Sequence, residues 1–472
     1  MLKGGGIGMS DLSNFKLWLA ENKNYSDKVI SNIVSRFKRA NGFLPWFNDS
    51  FYLYQLEQVY EYANLSSTVR SQIKKAVKLY AEFINSEQTP QLSNNSNMKV
   101  LSLFANIGVA EAYLKDIDFD VVVANELIER RALLYSKIYP KTHMICGDIT
   151  NQVVFEEIVN ESINLDVDII MATPPCQGMS TVGQQLADDE RNKLICQVVE
   201  AVKLINPKYV FVENVPAFFN TKINVNDKQI LIPDLLDEEL GEKYIIKKSV
   251  IDTKNYSVPQ TRERAIVLMT RRDLEKVWDI PDKDNVIITM RDAIGGLPKL
   301  DPFITDVDEN ELLTIFPHYF EREQKAKNIS RWHTPPHHIK RQVIAMQHTP
   351  TGHTAFENDK YYPSKADGKP VKGFKNTYKR QNWDTPAYTV TMDNRKISSQ
   401  NNVHPGLFEY VDDNGDVVYS DPRVLTLYEL MKIMSIPDDW PVPVDTSEAF
   451  LRRIIGEGIP PLFVKKVFEK IK

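Results

Sequence analysis

Between residues 98 and 271 the chain carries five short apolar runs, "KVLSLF", "DVVVANE", "DVDIIMATPP", "KYVFVENV" and "RAIVLMT", separated by longer stretches of helical character. Short apolar runs of this kind read as strands covered on both faces, and their alternation with helices predicts an α/β unit wound around a mostly parallel sheet. Such sheets hold ligands beyond the carboxyl ends of their strands. The residues that end each run are therefore the ones to read for chemistry.

The rest of the chain is arranged around this unit. Upstream, "SDKVISNIVSRFKRA" sets Val29, Ile33, Val34 and Phe37 on one helical face behind a cap at Ser26, and "STVRSQIKKAVKLYAEFI" does the same with Val69, Ile73, Val77 and Tyr80. These patterns predict an N-terminal helical bundle over 1–85, with Arg70, Lys74 and Lys78 in a basic line on its last helix. The polar, aperiodic "SEQTPQLSNNSN" predicts a linker over 86–97, and the α/β unit then runs over 98–279. Residues 280–420 lose the rhythm and are rich in Pro, His, Lys and aromatics. "DPRVLTLYELMKIMS" restores a helix, so 421–472 reads as a segment returning to the α/β unit.

At 472 residues the chain exceeds one ordinary domain. It has no apolar stretch near the roughly 20 residues that span a bilayer. "MLKGGGIGMS" lacks the apolar core of a secretory signal, and three scattered cysteines, Cys146, Cys176 and Cys196, make no disulfide framework. A cytoplasmic protein is expected. The net charge of −5 conceals an asymmetry: residues 322–396 hold 15 Lys/Arg against 6 Asp/Glu, an excess of +9 that leaves −14 for the remainder. That segment is either a solvated surface or a face for a polyanion.

The first run leads into "FANIGVAEAYL", where Gly108 permits a tight turn into a helix. Asn106 stands where a phosphate loop has its first glycine, and Glu111 would oppose a pyrophosphate, so the loop suits a ligand without phosphate and with positive charge. Glu126 ends the second run in position to grip two ribose hydroxyls, and Asp148 in "CGDI" in position to accept from an adenine amino group. S-adenosylmethionine fits this set. A helix-packing glycine flanked by surface acids is the alternative reading of the loop.

After the third run, Pro174 and Pro175 fix two φ angles and send the chain out along one stiff path to Cys176. A rigidly held thiol suits a nucleophile, whereas Cys146 and Cys196 read as buried structural cysteines. A thiol protease or acyl transferase needs a histidine base, and the nearest, His143 and His318, show no pairing pattern. A redox dithiol needs a second nearby cysteine, which is missing. "HTPPHH" (His333, His337, His338) reads as a surface or DNA-facing cluster rather than a zinc site, and no metal is expected. The fourth run ends at Glu213. "VPQTRERAIVL" puts Gln260, Arg262 and Arg264 on one strand face by the two-residue period. Singly, these charges read as salt bridges; together with the thiol they read as a reactive site.

The ordered set "LFANIG", "ANE", "GDI", "PPCQGMS", "ENV", "QTRER", "RDAIGGLP", "TPAYTVT", "RVLTLYELMKIMSIPDDW" and "IGEGIPPLFVKKV" resembles the DNA (cytosine-5)-methyltransferases over about 98–472. The resemblance implies a Rossmann-like S-adenosylmethionine-dependent catalytic domain with a smaller target-recognition domain over 280–420. It implies methyl transfer to carbon 5 of a flipped cytosine in duplex DNA. Cys176 would add to carbon 6, Glu213 would hold a proton at N3, Arg264 would bond the base carbonyl, and Arg262 would shape the site and help keep the thiol ionised.

By the same carry-over, Phe104, Asn106, Ile107, Gly108, Glu126, Leu127, Asp148, Ile149, Pro175 and Leu194 would contact the donor. Gln177, Gly178, Ser180 and Arg380 would contact DNA. A bacterial or phage modification enzyme is implied, acting as a monomer on double-stranded DNA beside a companion restriction endonuclease.

The chain departs from the family pattern in two places. Ser102, Asn106 and Val109 replace the acid and glycines of the first loop, and Glu457 replaces an Asn in the last motif. An adenine methyltransferase would need an aromatic residue behind the prolines instead of a cysteine. An RNA cytosine methyltransferase is the nearer rival, but its tRNA-acting members have "PPCQPFTR"-like sequence and a short recognition region. A catalytically silent DNA-binding member remains the alternative from another class.

Overall fold

The computed structural model describes residues 9–23, 25–46, 52, 53, 56, 59–87, 97–175, 190–225 and 228–472. The chain divides into two compact units, Met1–Ser96 and Asn97–Lys472. Of the linker expected over 86–97, residues 88–96 lie outside the described set.

The first unit contains α1 (Met9–Lys23), α2 (Asp27–Phe43), a single turn α3 (Tyr60–Ala63) and α4 (Ser67–Glu87). Their core is aromatic: Phe37 stacks on Tyr80 with ring centroids 3.8 Å apart, and Phe15 meets Tyr80 edge-on at 5.0 Å. The buried face of α2 is Ile30, Ile33, Val34 and Phe37, whereas Val29 is 40 % exposed. The strict i, i+3, i+4, i+7 set starts at Ile30, one position after the expected start.

The second unit is built on a seven-stranded sheet. Its strands are β1 (Met98–Leu103), β2 (Phe119–Glu126), β3 (His143–Cys146), β4 (Ile169–Ala172), β5 (Tyr209–Asn214), β8 (Tyr244–Asp252) and β9 (Glu263–Arg271), in the order β3-β2-β1-β4-β5-β9-β8. A separate hairpin, β6 (Lys222–Val225) with β7 (Lys228–Leu231), intervenes in sequence. Strands β1 to β5 pair in parallel, and β9 runs antiparallel to both β5 and β8. All five apolar runs lie in this sheet. The order reverses between β1 and β4, the crevice where a doubly wound sheet holds its ligand.

One face of the sheet packs on α6 (Gln152–Asn164), α7 (Leu194–Ile205) and α8 (Ile232–Leu240); α5 (Glu129–Ile138) follows β2. The other face receives the chain's last helix. There Phe463, Val464, Val467 and Phe468 are buried against Val100, Met171, Phe211 and Leu268, each burial being worth roughly 2 kcal/mol. This clasp explains why the closing residues belong with the sheet. After β1 the expected helix does not form: the loop continues as turns and one 3-10 turn, Lys115–Ile117, with Leu114 N bonded to Glu111 O.

Residues after 280 form α9 (Met290–Ile294), α10 (Glu309–Ile315), α11 (Tyr319–Ile329) and α12 (Lys340–Gln347), then long irregular stretches, then α13 (Leu427–Ile433), α14 (Glu448–Glu457) and α15 (Pro461–Glu469). A capping box between Thr426 and Glu429 starts α13. Buried Arg423 forks onto Glu429 at 2.8 and 2.9 Å and reaches Asp421 at 2.7 Å. This pairing satisfies charges that would otherwise be costly inside a protein.

Three expectations are corrected in this unit. Arg380, expected on DNA, is 0 % exposed and donates to Met346 O, His404 O and Asp421 O, so it cannot reach a phosphate. His333 and His338 are buried rather than surface residues: His333 Nδ1 meets Thr426 Oγ1 at 2.9 Å and His338 Nε2 accepts from Val424 N. Cys146 is exposed at the end of edge strand β3, and Cys196 is half-buried on α7.

Candidate active site

The carboxyl ends of β4 and β5 lie side by side, with Ala172 opposite Val212. Beyond them Asn214 Nδ2 donates to Pro174 O at 2.9 Å and Thr173 Oγ1 donates to Phe104 O at 3.2 Å. The diproline exit is thus fixed to β5 on one side and to the β1 loop on the other. Asn214 and Thr173 were not singled out from sequence; the polar Asn closing an otherwise apolar run in "ENV" was the available signal. Cys176, Gln177, Gly178 and Ser180 lie outside the described residues.

Glu213 is the penultimate residue of β5, next to this exit. Arg264, near the start of β9, places its Nε 2.7 Å from Glu213 Oε1. The antiparallel pairing of β5 with β9, Asn214 opposite Ala265, brings the two together. Arg264 also anchors to Glu263 O through Nη1 at 2.7 Å.

Gln260 and Arg262 both turn their side chains onto the Val390 peptide, whereas Arg264 turns to Glu213. Strand β9 begins at Glu263, and before it the chain pairs with 387–390 instead, through Thr261 N to Ala387 O and Val390 N to Gln260 Oε1. Arg262 donates to Val390 O and Gly456 O, both at 2.9 Å. It ties the irregular region to α14.

The β1 loop adopts left-handed backbone at Phe104 (φ 59°), Asn106 (φ 54°) and Gly108 (φ 81°). Asparagine tolerates this region better than most residues, which accounts for its standing in a glycine position. Gly108 has no substitute: a Cβ there would lie 2.1 Å from the Tyr139 ring. Glu126 Oε2 accepts from Asn106 N and Oε1 from Ile128 N, each at 2.9 Å. One lone pair on each oxygen remains for a ligand diol.

Asp148 is exposed at the end of β3, with Oδ1 accepting from Thr150 N. Ile107 and Ile149 are buried, so their side chains support the loops from beneath, while Leu127 is exposed and Pro175 and Leu194 are half-buried.

Glu111 is not a surface acid. It turns inward and accepts from Ser102 Oγ at 2.6 Å, and burial pushes its carboxyl up to about 7. A carboxylate from the turn thereby meets the strand position where Ser102 replaces an acid.

The two departures at Asn106 and Glu457 touch each other. Asn106 Nδ2 lies 3.4 Å from Glu457 Oε2, and Arg131 on α5 grips both Glu457 oxygens at 2.9 and 3.1 Å. Nothing in the spacing of Arg131 pointed to it. Among the described residues no cluster of His, Cys, Asp and Glu suited to a metal is present.

A sequence profile described as C-5 cytosine-specific DNA methylase matches residues 98–472. The Type II methyltransferase M1.HgaI of Avibacterium volantium is 39% identical over 380 residues, covering 79% of this chain and 98% of that protein. M1.HphI of Haemophilus parahaemolyticus, also a Type II methyltransferase, is 26% identical over 378 residues, covering 79% and 87%. Among solved structures, a putative DNA modification methyltransferase encoded within an E. coli prophage shares the fold with a TM-score of 0.52 at 18% identity, covering 79% of this chain and 98% of that one. The N-terminal unit precedes the matched stretch.

Proposed function

The chain belongs to the C-5 cytosine-specific DNA methylases and is a DNA (cytosine-5)-methyltransferase; from that premise we propose that it methylates a cytosine flipped out of duplex DNA through a covalent bond between Cys176 and carbon 6. The donor in this reading is S-adenosylmethionine, which supplies an electrophilic methyl group on a sulfonium. The acid-lined strand ends suit it: Glu126 keeps lone pairs for the ribose diol, the β1 loop presents no cation for a phosphate, and Asn106 Oδ1 is buried with no hydrogen-bond partner among the described residues.

Carbon 5 of cytosine is too weak a nucleophile to take a methyl group directly. The Cys176 thiolate adds to carbon 6 and converts the ring to an enamine, whose carbon 5 forms the new bond. Glu213 holds a proton at N3 and Arg264 bonds the carbonyl oxygen, so the charge that develops on the ring meets a preorganised acid and cation. Water or hydroxide removes the carbon 5 proton, and β-elimination restores the thiolate. Arg262 acts at a distance by holding the loop at Val390 against Gly456.

The observation that carries the reading is the Glu213–Arg264 pair beside the Pro174–Pro175 exit, one residue before Cys176 in sequence. The segment over 280–420 serves as target recognition, with the exposed lysines at 365–375 on phosphates. The Type II names of the relatives support a role in protecting self DNA beside a companion endonuclease, and we take the enzyme to act as a monomer.

A duplex bearing 5-fluorocytosine at the target should become covalently trapped by wild type in the presence of donor and not by Cys176→Ala. Equal trapping or equal methyl incorporation by both proteins would eliminate the mechanism. Bisulfite mapping of methylated DNA reports the recognition sequence.

A further inference from the structure

The N-terminal unit precedes the stretch matched by the methylase profile, so methyl transfer does not account for it. Residues 1–96 hold 11 Lys/Arg against 8 Asp/Glu, a net +3, where the remainder of the chain holds −8. The excess sits on two helices, α2 and α4, which together carry 8 Lys/Arg against 3 Asp/Glu. Along α4, Arg70, Lys74 and Lys78 follow one another at four-residue intervals, with Lys75 beside them. Along α2, Arg36 and Arg39 stand three apart, and Lys28 and Lys38 share the helix. Like charges at these spacings are neighbours on a helix and repel. No Asp or Glu stands three or four positions from any of these cations except Glu82, four beyond Lys78, and Glu82 Oε2 lies 2.8 Å from Lys23 Nζ.

Elsewhere the same chain builds a solvated helix differently. On α11, Glu321 pairs with Lys325 at 2.7 Å and Glu323 with Lys327 at 2.8 Å, each four positions apart. The cations of α2 and α4 lack that interleaving, and the two sets meet at Tyr25, three positions before Lys28, whose ring centroid is 5.9 Å from Lys75 Nζ. Lys28, Lys38, Arg39, Lys75 and Lys78 are exposed, and Ser31, Asn32 and Ser35 between the α2 cations are exposed hydrogen-bonding side chains. Such a face suits a surface of closely repeated anions. From Arg70 to Lys78 the helix rises about 12 Å, a length over which duplex DNA presents about seven phosphate charges.

We propose that the N-terminal unit is a second DNA-binding module, which holds the phosphates of duplex DNA through α2 and α4 without reading sequence, while the methylase unit acts on its target. Phosphate contacts position a protein without specifying a site. Duplex DNA is the polyanion because the methylase unit of the same chain already engages it, and joining two binding units in one chain raises the effective concentration of each at the other's ligand.

The salt dependence of the full chain's binding to duplex DNA of random sequence tests the assignment. Lys28→Ala combined with Arg39→Ala, Lys75→Ala and Lys78→Ala removes four exposed cations, and alanine preserves the helices. The slope of log affinity against log salt should become shallower by about 2 to 4, and affinity at about 100 mM salt should fall by about tenfold or more. Single-turnover methyl transfer at saturating DNA should keep its wild-type rate. The charge-preserving set Lys28→Arg, Lys75→Arg and Lys78→Arg should retain the wild-type slope, which ties the loss to charge rather than to the folding of the unit. An unaltered slope in the alanine set overturns the proposal and leaves a solvated face, and an equal loss in the arginine set overturns it as well. A slope that falls on single-stranded RNA but not on duplex DNA overturns it in favour of RNA.

Discussion

Arg264 Nε and Glu213 Oε1 lie 2.7 Å apart, and the two side chains are only 12 % and 10 % exposed. Removing one member of such a pair strands the other's charge away from water, which costs on the order of 3–5 kcal/mol. Arg264→Met is expected to lower unfolding stability by roughly 3 kcal/mol and single-turnover methyl transfer by about 10²-fold or more. Glu213→Gln leaves Arg264 an amide oxygen, so it should lose less stability, about 1 kcal/mol, while methyl transfer falls as far. Urea denaturation and single-turnover assays on both variants distinguish a structural pair from a chemical one. Rates close to wild type in folded Glu213→Gln would remove Glu213 from the chemistry.

Glu111 gives the β1 loop a pH signature. Its carboxyl has an ordinary value of 4.5 and is pushed up to about 7 by burial, against the lowering effect of its bond from Ser102; Tyr135 and Tyr139 on the α5 side face it. Between these values the native state retains a proton that the unfolded chain has released, so stability declines as pH rises from about 4.5 to about 7 and is level beyond. Glu111→Gln keeps an acceptor for the Ser102 hydroxyl and should cancel that decline. Denaturation curves at pH 5, 6, 7 and 8 should show the variant gaining on wild type up to pH 7. A constant difference would place the carboxylate's charge outside the linkage.

The central strands were legible because they are buried on both faces and therefore continuously apolar; "VVVANE" and "YVFVENV" leave little alternative. The edges were not. Strand β3 is four residues with an exposed His143 and Cys146, and β8 carries Lys247 and Lys248, so neither has the composition of a core strand. At the candidate site, the pairing of Glu213 with Arg264 could be read because each lies on a regular strand of the sheet. The fate of Arg380 and Arg262 could not, since a fully buried arginine is decided by which carbonyls the fold brings to it. No periodicity encodes a carbonyl's position 194 residues away, as for Arg262 and Gly456.

Gly456 marks a close approach between α14 and the 390 loop. A Cβ there would lie 2.3 Å from Thr391 O, a backbone atom with nowhere to retreat, while Gly456 O receives Arg262 Nη2. Gly456→Ala is expected to force α14 away from the 390 loop and cost about 1–3 kcal/mol, with the midpoint of thermal unfolding falling accordingly. The conservative size of the change makes the test sharp. An unchanged midpoint would show that the junction has slack.

Arg380 and the lysines of residues 365–375 belong to the same basic segment and should behave oppositely. Lys365, Lys369, Lys372 and Lys375 are exposed, and Phe374, held in a turn by Thr377 N and Oγ1 bonding its carbonyl at 2.9 Å, is 77 % exposed between two of them. Each phosphate contact contributes about −0.9 to the slope of log affinity against log salt. Lys372→Ala with Lys375→Ala should therefore make that slope shallower by about 1.8, weaken cognate and unrelated duplexes alike, and leave stability unchanged. Arg380→Ala abandons three buried carbonyls and should cost several times the roughly 1 kcal/mol of a single hydrogen bond, while the folded fraction keeps the wild-type salt slope. Fluorescence anisotropy between 50 and 200 mM salt, the interval over which counterion release is readily measured, reads both. A double-lysine variant with an unaltered slope would move the DNA face elsewhere on this segment.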